Sequence, residues 1–101
     1  MNHSNASRQP DLVIHSKNTV LPAGISDEFV LIKDGLIYGI ERSAGNGLSC
    51  PVEDVDDMIL MPGLVDSHVH INDPGRTDWE GFETATKAAI AGGVTTLVDM
   101  P

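Results

Sequence analysis

Met61-Pro-Gly-Leu-Val-Asp-Ser-His68-Val-His70-Ile-Asn-Asp-Pro-Gly-Arg76, followed by a helix-patterned stretch that ends Ala91-Gly-Gly-Val-Thr-Thr-Leu-Val-Asp-Met100, decides the fold of this chain. Pro62-Gly63 is a turn signal, and the apolar pair Leu64-Val65 after it reads as the start of a buried strand. Side chains alternate faces along a strand, so His68 and His70 leave the same side and their imidazoles converge, as ligands of one metal ion must. Neutral imidazole nitrogen suits zinc and similar divalent ions, and an extended His-x-His has little conformational freedom left to lose on binding. A polar strand end would also accommodate His-x-His, so its surroundings carry the weight. Asp66 shares the parity of the histidines, while Val65 and Val69 take the opposite face, which suits packing beneath helices. Two roles are open to Asp66: orienting a ligand ring through its second nitrogen, or serving as a buried acid that hydrogen-bonds a neighbouring loop.

Downstream, Asn72-Asp73-Pro74-Gly75 is turn chemistry. Thr77 stands three residues before Glu80, the spacing of a capping box, and Asp78 adds negative charge at the helix's positive end. Trp79, Phe82, Thr86, Ala89 and Ile90 recur at helical spacing and predict a buried stripe, with Glu83 and Lys87 as an exposed pair four apart. Gly92-Gly93 ends the helix, and the β-branched run Val94 to Asp99 reads as a strand. The order strand, loop, helix, strand predicts a parallel crossover unit, and such folds place active sites at the C-terminal ends of their strands.

These residues resemble the start of the catalytic barrel of the cyclic amidohydrolases, the group that includes dihydroorotases, hydantoinases or dihydropyrimidinases, and allantoinases. The signature Pro62-Gly-Leu-Val-Asp-Ser-His-Val-His70 is similar to the one that ends the first barrel strand in that group, where both histidines bind the more buried ion of a two-metal centre. Dihydroorotases carry an arginine two residues after the second histidine, to pair with the substrate carboxylate; here that position is Asn72. A neutral amide cannot make the charge-assisted fork of an arginine, but it can hydrogen-bond an uncharged ureide ring. The run from His68 to Thr86, including Trp79, Glu80, Gly81 and Phe82, is most similar to allantoinases.

The resemblance implies a fold and a chemistry. The fold class is α/β: a disordered leader over residues 1–10, part of a small β-sandwich over 11–60, and over 61–101 the first strand, helix and second strand of a metal-dependent TIM barrel, which is incomplete at this length. The implied cofactors are two divalent metal ions, zinc by the family's habit, bridged by a carboxylated lysine that lies outside this chain. Two further histidines and an aspartate acting as general base also belong to later strands, so no catalytic residue is expected here. His68 and His70 are the metal ligands, Asn72 contacts the substrate and Asp66 supports the ligands from behind. The implied reaction opens the hydantoin ring of allantoin to allantoate, in purine and ureide degradation. The partner is that small ureide, and the intact enzyme is expected to be a homo-oligomer. The chain alone is expected to be inactive. A dihydropyrimidinase, a hydantoinase or a dihydroorotase is the alternative within the group, and a non-catalytic truncated relative that acts only by association is the alternative outside it.

Elsewhere the sequence says less. Asp11 to His15 and Phe29 to Lys33 are short apolar strands, and Asp34-Gly35 is a two-residue hairpin signal before Leu36 to Ile40. His15 lies in an apolar strand and reads as a structural histidine. The leader Met1 to Pro10 has no apolar signal-peptide core, which makes the Asn5-Ala6-Ser7 sequon incidental. The acidic clusters Glu53-Asp54 and Asp56-Asp57 read as a solvated loop in preference to a cation site. A formal net charge of -9, with six Lys and Arg, argues against nucleic acid or anionic lipid. No apolar run is long enough to cross a membrane, and the lone Cys50 excludes an internal disulfide and fits a reducing compartment. Cytoplasmic localisation is expected, with a peroxisomal address open at the C-terminus.

Overall fold

The computed structural model describes residues 9–100, which divide into two compact units, one reaching Met61 and the other starting at Pro62. Whatever the leader does before Gln9 lies outside the described residues; Pro10 is already buried.

The first unit is one sheet built around its first strand. β1 (Leu12–Leu21) pairs antiparallel with β2 (Gly24–Lys33), which pairs antiparallel with β3 (Leu36–Glu41). On the other side of β1, β4 (Val52–Asp54) and β5 (Ile59–Leu60) both run parallel to it. The order is therefore β3-β2-β1-β4, with β5 also on β1. Asp34 and Gly35 turn between β2 and β3 with φ of 53° and 76°, the left-handed pair that a two-residue hairpin requires. Val13 of β1 is fully buried and Val30 of β2 nearly so; Val13 stands opposite Leu31 and Ile14 opposite Val30, so the two buried valines lie on opposite faces of the sheet.

The buried hydroxyls of Ser16 and Thr19 in this unit are satisfied locally. The register of β1 shifts between Ser16 and Thr19, and Ser16 is fully buried at the irregularity. Its hydroxyl donates to the Met58 carbonyl and accepts the Asn18 N–H, while the Thr19 hydroxyl donates to the Ser16 carbonyl. This is how a polar stretch, Ser16-Lys17-Asn18-Thr19, can sit in mid-strand without leaving orphaned groups. The hydrophobic pattern marked only the two ends of the β1–β2 hairpin, because this polar bulge interrupts it. The acidic stretch read as a loop instead contributes a short strand: Val13, Ile14 and His15 register with Val52, Glu53 and Asp54.

The second unit is a strand, a helix and a strand. β6 (Leu64–Val69) and β7 (Val94–Asp99) pair in parallel, and α1 (Phe82–Ala91) crosses between them. Where the strands start, Gly63 faces Thr95 so closely that a Cβ at residue 63 would stand 2.1 Å from Thr95 Oγ1. A glycine is what permits that approach. Gly92 caps the helix and Gly93, at φ 84°, turns the chain into β7.

Two expectations are corrected in this unit. The helix begins at Phe82, with Gly81 as N-cap and no side-chain cap from its own residue, so Thr77 and Glu80 do not form a capping box. Residues 77–79 form a turn closed by the Trp79 N–H on the Arg76 carbonyl at 2.8 Å, and the Glu80 carboxylate instead accepts from the Thr84 hydroxyl. Asp73 takes over the capping task, its Oδ2 lying 3.4 Å from the Phe82 N–H. The second correction concerns burial. Trp79 is 67% exposed, Ile90 65% and Val65 64%, so neither the helical stripe nor the strand is buried. A parallel strand gains burial from layers on both faces, and the described residues of this unit supply one helix and one neighbouring strand.

Candidate metal centre

The site forms where β6 ends. His68 is the penultimate residue of that strand and His70 the first beyond it, and alternation brings both rings to one side. Their Nε2 atoms stand 3.2 Å apart, with ring centroids 5.1 Å apart and planes inclined at 67°. Both side chains are exposed. Asp66 accepts the backbone N–H of His68 on Oδ1 at 3.2 Å, so the contact observed is with the strand end and not with a ring nitrogen.

The loop after His70 is tied down at several points. Ile71 donates its N–H to Asp99 Oδ1 at 2.9 Å, and the Met100 N–H reaches the Val69 carbonyl at 2.8 Å. Asn72 donates its N–H to the Glu80 carbonyl at 2.8 Å. The Arg76 guanidinium lies over the Trp79 ring, 4.5 Å from its centroid, a cation–π contact. His70, Asn72, Arg76 and Asp99 are among the residues lining an open cleft of about 450 Å³. The structure thus brings His68, His70 and Asn72 to one end of the unit and sets Asp66 beneath them.

Asp99 is the residue that sequence reading passed over. A carboxylate closing a β-branched strand was visible, but nothing local showed that it reaches back across 28 residues of chain. Among the described residues no group of three or more His, Cys, Asp or Glu is placed to hold a metal ion. Two imidazoles are fewer than the three or four protein ligands of a catalytic zinc site, so completion requires further donors.

His15, in the first unit, is held differently. Its Nε2 lies 2.6 Å from Asp27 Oδ1, and its ring stacks on Phe29 at 4.2 Å between centroids. Nδ1 stands 3.1 Å from Asp54 Oδ2, an ion-pair distance without hydrogen-bond direction. The Asp27 bond, then Asp54, raise the histidine's pKa above its ordinary 6.5. The Asp54 carboxyl is lowered, first by the Asp56 backbone N–H and then by His15. Lys17 Nζ pairs with Asp56 Oδ1 at 3.0 Å beside them. Both imidazole nitrogens of His15 face carboxylates on neighbouring strands, which is the arrangement of a structural bridge.

The chain is similar in sequence and fold to known proteins. Residues 59–101 match the family described as "Amidohydrolase family". The chain is 50% identical over 92 residues to an allantoinase of Streptomyces avermitilis, an alignment spanning 90% of this chain and 21% of that protein. Against an allantoinase of Arabidopsis thaliana the identity is 48% over 92 residues, spanning 87% of this chain and 18% of the other. Against that of Saccharomyces cerevisiae it reaches 70% over 50 residues, 50% of this chain and 11% of the other. Among solved structures, the L-hydantoinase (dihydropyrimidinase) from Arthrobacter aurescens superposes with a TM-score of 0.76 at 31% identity, covering 92% of this chain and 21% of that one. The chain spans about a fifth of the length of the curated relatives it matches. Over residues 59–101 the sequence is similar to the amidohydrolase family, and allantoinases are among the relatives it resembles.

Proposed function

We propose that this amidohydrolase segment supplies His68 and His70 as two ligands of a two-metal centre in an enzyme that opens cyclic amides, with allantoin as substrate and allantoate as product. One observation carries the reading: two imidazole Nε2 atoms 3.2 Å apart at the C-terminal end of a parallel strand. Nitrogens bound to one tetrahedral zinc at 2.0–2.1 Å stand about 3.3 Å from each other, so the rings already have the spacing of two corners of that tetrahedron. The family and the hydantoinase neighbour imply a binuclear metal centre, and the donor set here fits one edge of it.

Each residue has a role in this proposal. Ions bound there supply Lewis-acid polarisation of the ring carbonyl and a nucleophile near neutral pH. His68 and His70 would together hold one of those ions at the strand end, where the backbone leaves the rings little freedom. Asp66 fixes the peptide that carries His68. Asn72, neutral and beside the cleft, hydrogen-bonds the uncharged ureide ring, a task for which an arginine would be suited only if the substrate carried a carboxylate. The remaining ligands, a carboxylated lysine and two further histidines, and the aspartate base are assigned to chain outside this segment.

The same proposal extends to the architecture. Residues 61–101 form the first strand, helix and second strand of a TIM barrel, and 11–60 contribute one sheet of a small β-sandwich. Further chain covers the exposed Val65, Trp79 and Ile90. The intact enzyme is a homo-oligomer of the cytoplasm or peroxisome; no described helix is long and apolar enough to cross a membrane.

The test is turnover by an intact enzyme carrying this segment. Allantoin should be opened with a specificity constant at least about 100-fold above that for dihydroorotate, in keeping with discrimination by a site built for one polar group. A chelator should abolish it, and zinc should restore it. Comparable constants for the two substrates, or full activity in chelator, would overturn the assignment.

A further inference from the structure

We infer that Asp99 is a positioning residue for His70 and Asn72, an assignment that rests on the proposed function. β6 ends at Val69, which leaves His70 just past the paired strand. Its two neighbours in the chain are nevertheless both tethered to the end of β7: the Val69 carbonyl by the Met100 N–H at 2.8 Å, and the Ile71 N–H by Asp99 Oδ1 at 2.9 Å. The side-chain oxygen does for the Ile71 N–H what a backbone carbonyl would do if the parallel pairing ran one step further. With the peptides on either side fixed, the His70 backbone loses the freedom that would swing its ring away from His68.

Ile71 is also the hinge between the ligand and the residue proposed to meet substrate. Asn72 is held from its far side by its own N–H on the Glu80 carbonyl at 2.8 Å, so the short segment from Val69 to Asn72 is anchored at three points. Two of them come from the end of β7 and one from the residue preceding the Gly81 cap. Asp99 supplies the only one of the three that depends on a side chain. It lines the same cleft as His70 and Asn72, so the competing role is a direct action of its charge on a bound molecule. Asparagine separates the two roles, because its amide oxygen can accept the Ile71 N–H but carries no charge.

The experiment compares Asp99→Ala and Asp99→Asn with the parent in an intact enzyme carrying this segment. Three quantities are read: amide hydrogen exchange at Ile71, zinc affinity, and kinetics with allantoin. Asp99→Ala is expected to speed exchange at Ile71 at least about tenfold, to weaken zinc roughly tenfold as loss of an orienting contact does, and to lower kcat/KM by about 10- to 100-fold. Asp99→Asn should stay within about threefold of the parent in all three, by keeping the acceptor. Unchanged exchange and zinc affinity in Asp99→Ala would overturn the inference, and so would an Asp99→Asn variant as damaged as the alanine one, since charge and not position would then be at work. Should the alanine variant fail to fold, the asparagine variant decides: retained protection at Ile71 with retained zinc affinity supports positioning, and their loss refutes it. If the parent turns over no cyclic amide, the proposed function fails, while exchange at Ile71 still decides whether Asp99 holds the loop.

Discussion

Every strand in both units of this chain has a partner among the described residues, yet only the first unit buries large apolar side chains. In the sheet of β1 to β5, Val13 is fully buried, and buried Ser16 and Thr19 are hydrogen-bonded within the same unit. In the unit of β6, α1 and β7, Gly81 is the only buried residue among those described, and large apolar side chains remain open to water. Backbone hydrogen bonds are satisfied by the nearest neighbours of a strand or helix, whereas burial needs a layer on each apolar face. The first unit therefore has buried residues of its own, and the second presents the two candidate histidines on a framework whose apolar faces are exposed.

The contrast is broken most strongly at the histidines. In an intact enzyme, His68→Ala or His70→Ala should lower kcat/KM by at least about 100-fold and remove bound metal, since ligands matter more than the contacts that support them. The thermal midpoint should stay within about 5 °C of the parent, because both rings are exposed. Metal content, kinetics and melting belong on the same samples. A variant that keeps both its metal and its turnover would remove His68 and His70 from the site.

Next in size is Asn72→Arg. Allantoin turnover should fall by about 10- to 100-fold through an unmatched charge beside an uncharged ring, without dihydroorotate necessarily becoming a substrate. Steady-state kinetics on both substrates would measure it. An unimpaired variant would place Asn72 among loop residues chosen for their turn.

A stability pair sharpens the comparison directly. On this chain, Val13→Ala should cost about 2 kcal/mol from lost burial and the cavity left behind. Val65→Ala, at 64% exposure, should change stability by no more than about 0.5 kcal/mol. Denaturant midpoints of the two variants check this, and equal losses would show that the second unit has a core after all.

The smallest effect concerns pH. The folded-state pKa of His15 is raised by Asp27 and Asp54, so its bridge stabilises the first unit fully below the unfolded value near 6.5 and is lost as pH rises through the folded value. The lowered pKa of Asp54 works at the other end: its contribution is present above its ordinary 3.8 and disappears as pH falls through the folded value. The melting temperature should thus be highest between those limits and decline slightly on the alkaline side. His15→Gln should flatten that decline, and an identical pH profile in the variant would show that the bridge contributes nothing.

Much of the second unit was legible because its signals are local. The parity of His68 and His70, the Gly92-Gly93 stop, the Glu83–Lys87 pair at 2.9 Å and the β-branched strand from Val94 each depend on residues a few positions apart. The Asp34-Gly35 hairpin in the first unit is of the same kind. The helix start was misplaced because Thr77 and Glu80 have the spacing of a capping box, while the cap came from Asp73, nine residues before Phe82. A side chain that reaches a helix end from a preceding loop leaves no fixed spacing to read.

Sequence by itself determined which residues turn, which alternate and which face the histidines take, since dihedral preference and side-chain period act over a few bonds. Tertiary structure alone decided that β1 is the central strand, with β2 antiparallel on one side and β4 and β5 parallel on the other. It also decided that His15 meets Asp27 and Asp54, and that Asp99 holds Ile71. Every strand offers the same N–H and C=O groups, so local pattern cannot name the partner. That choice is made when distant segments meet and the surviving arrangement is the one that leaves the fewest buried polar groups unpaired.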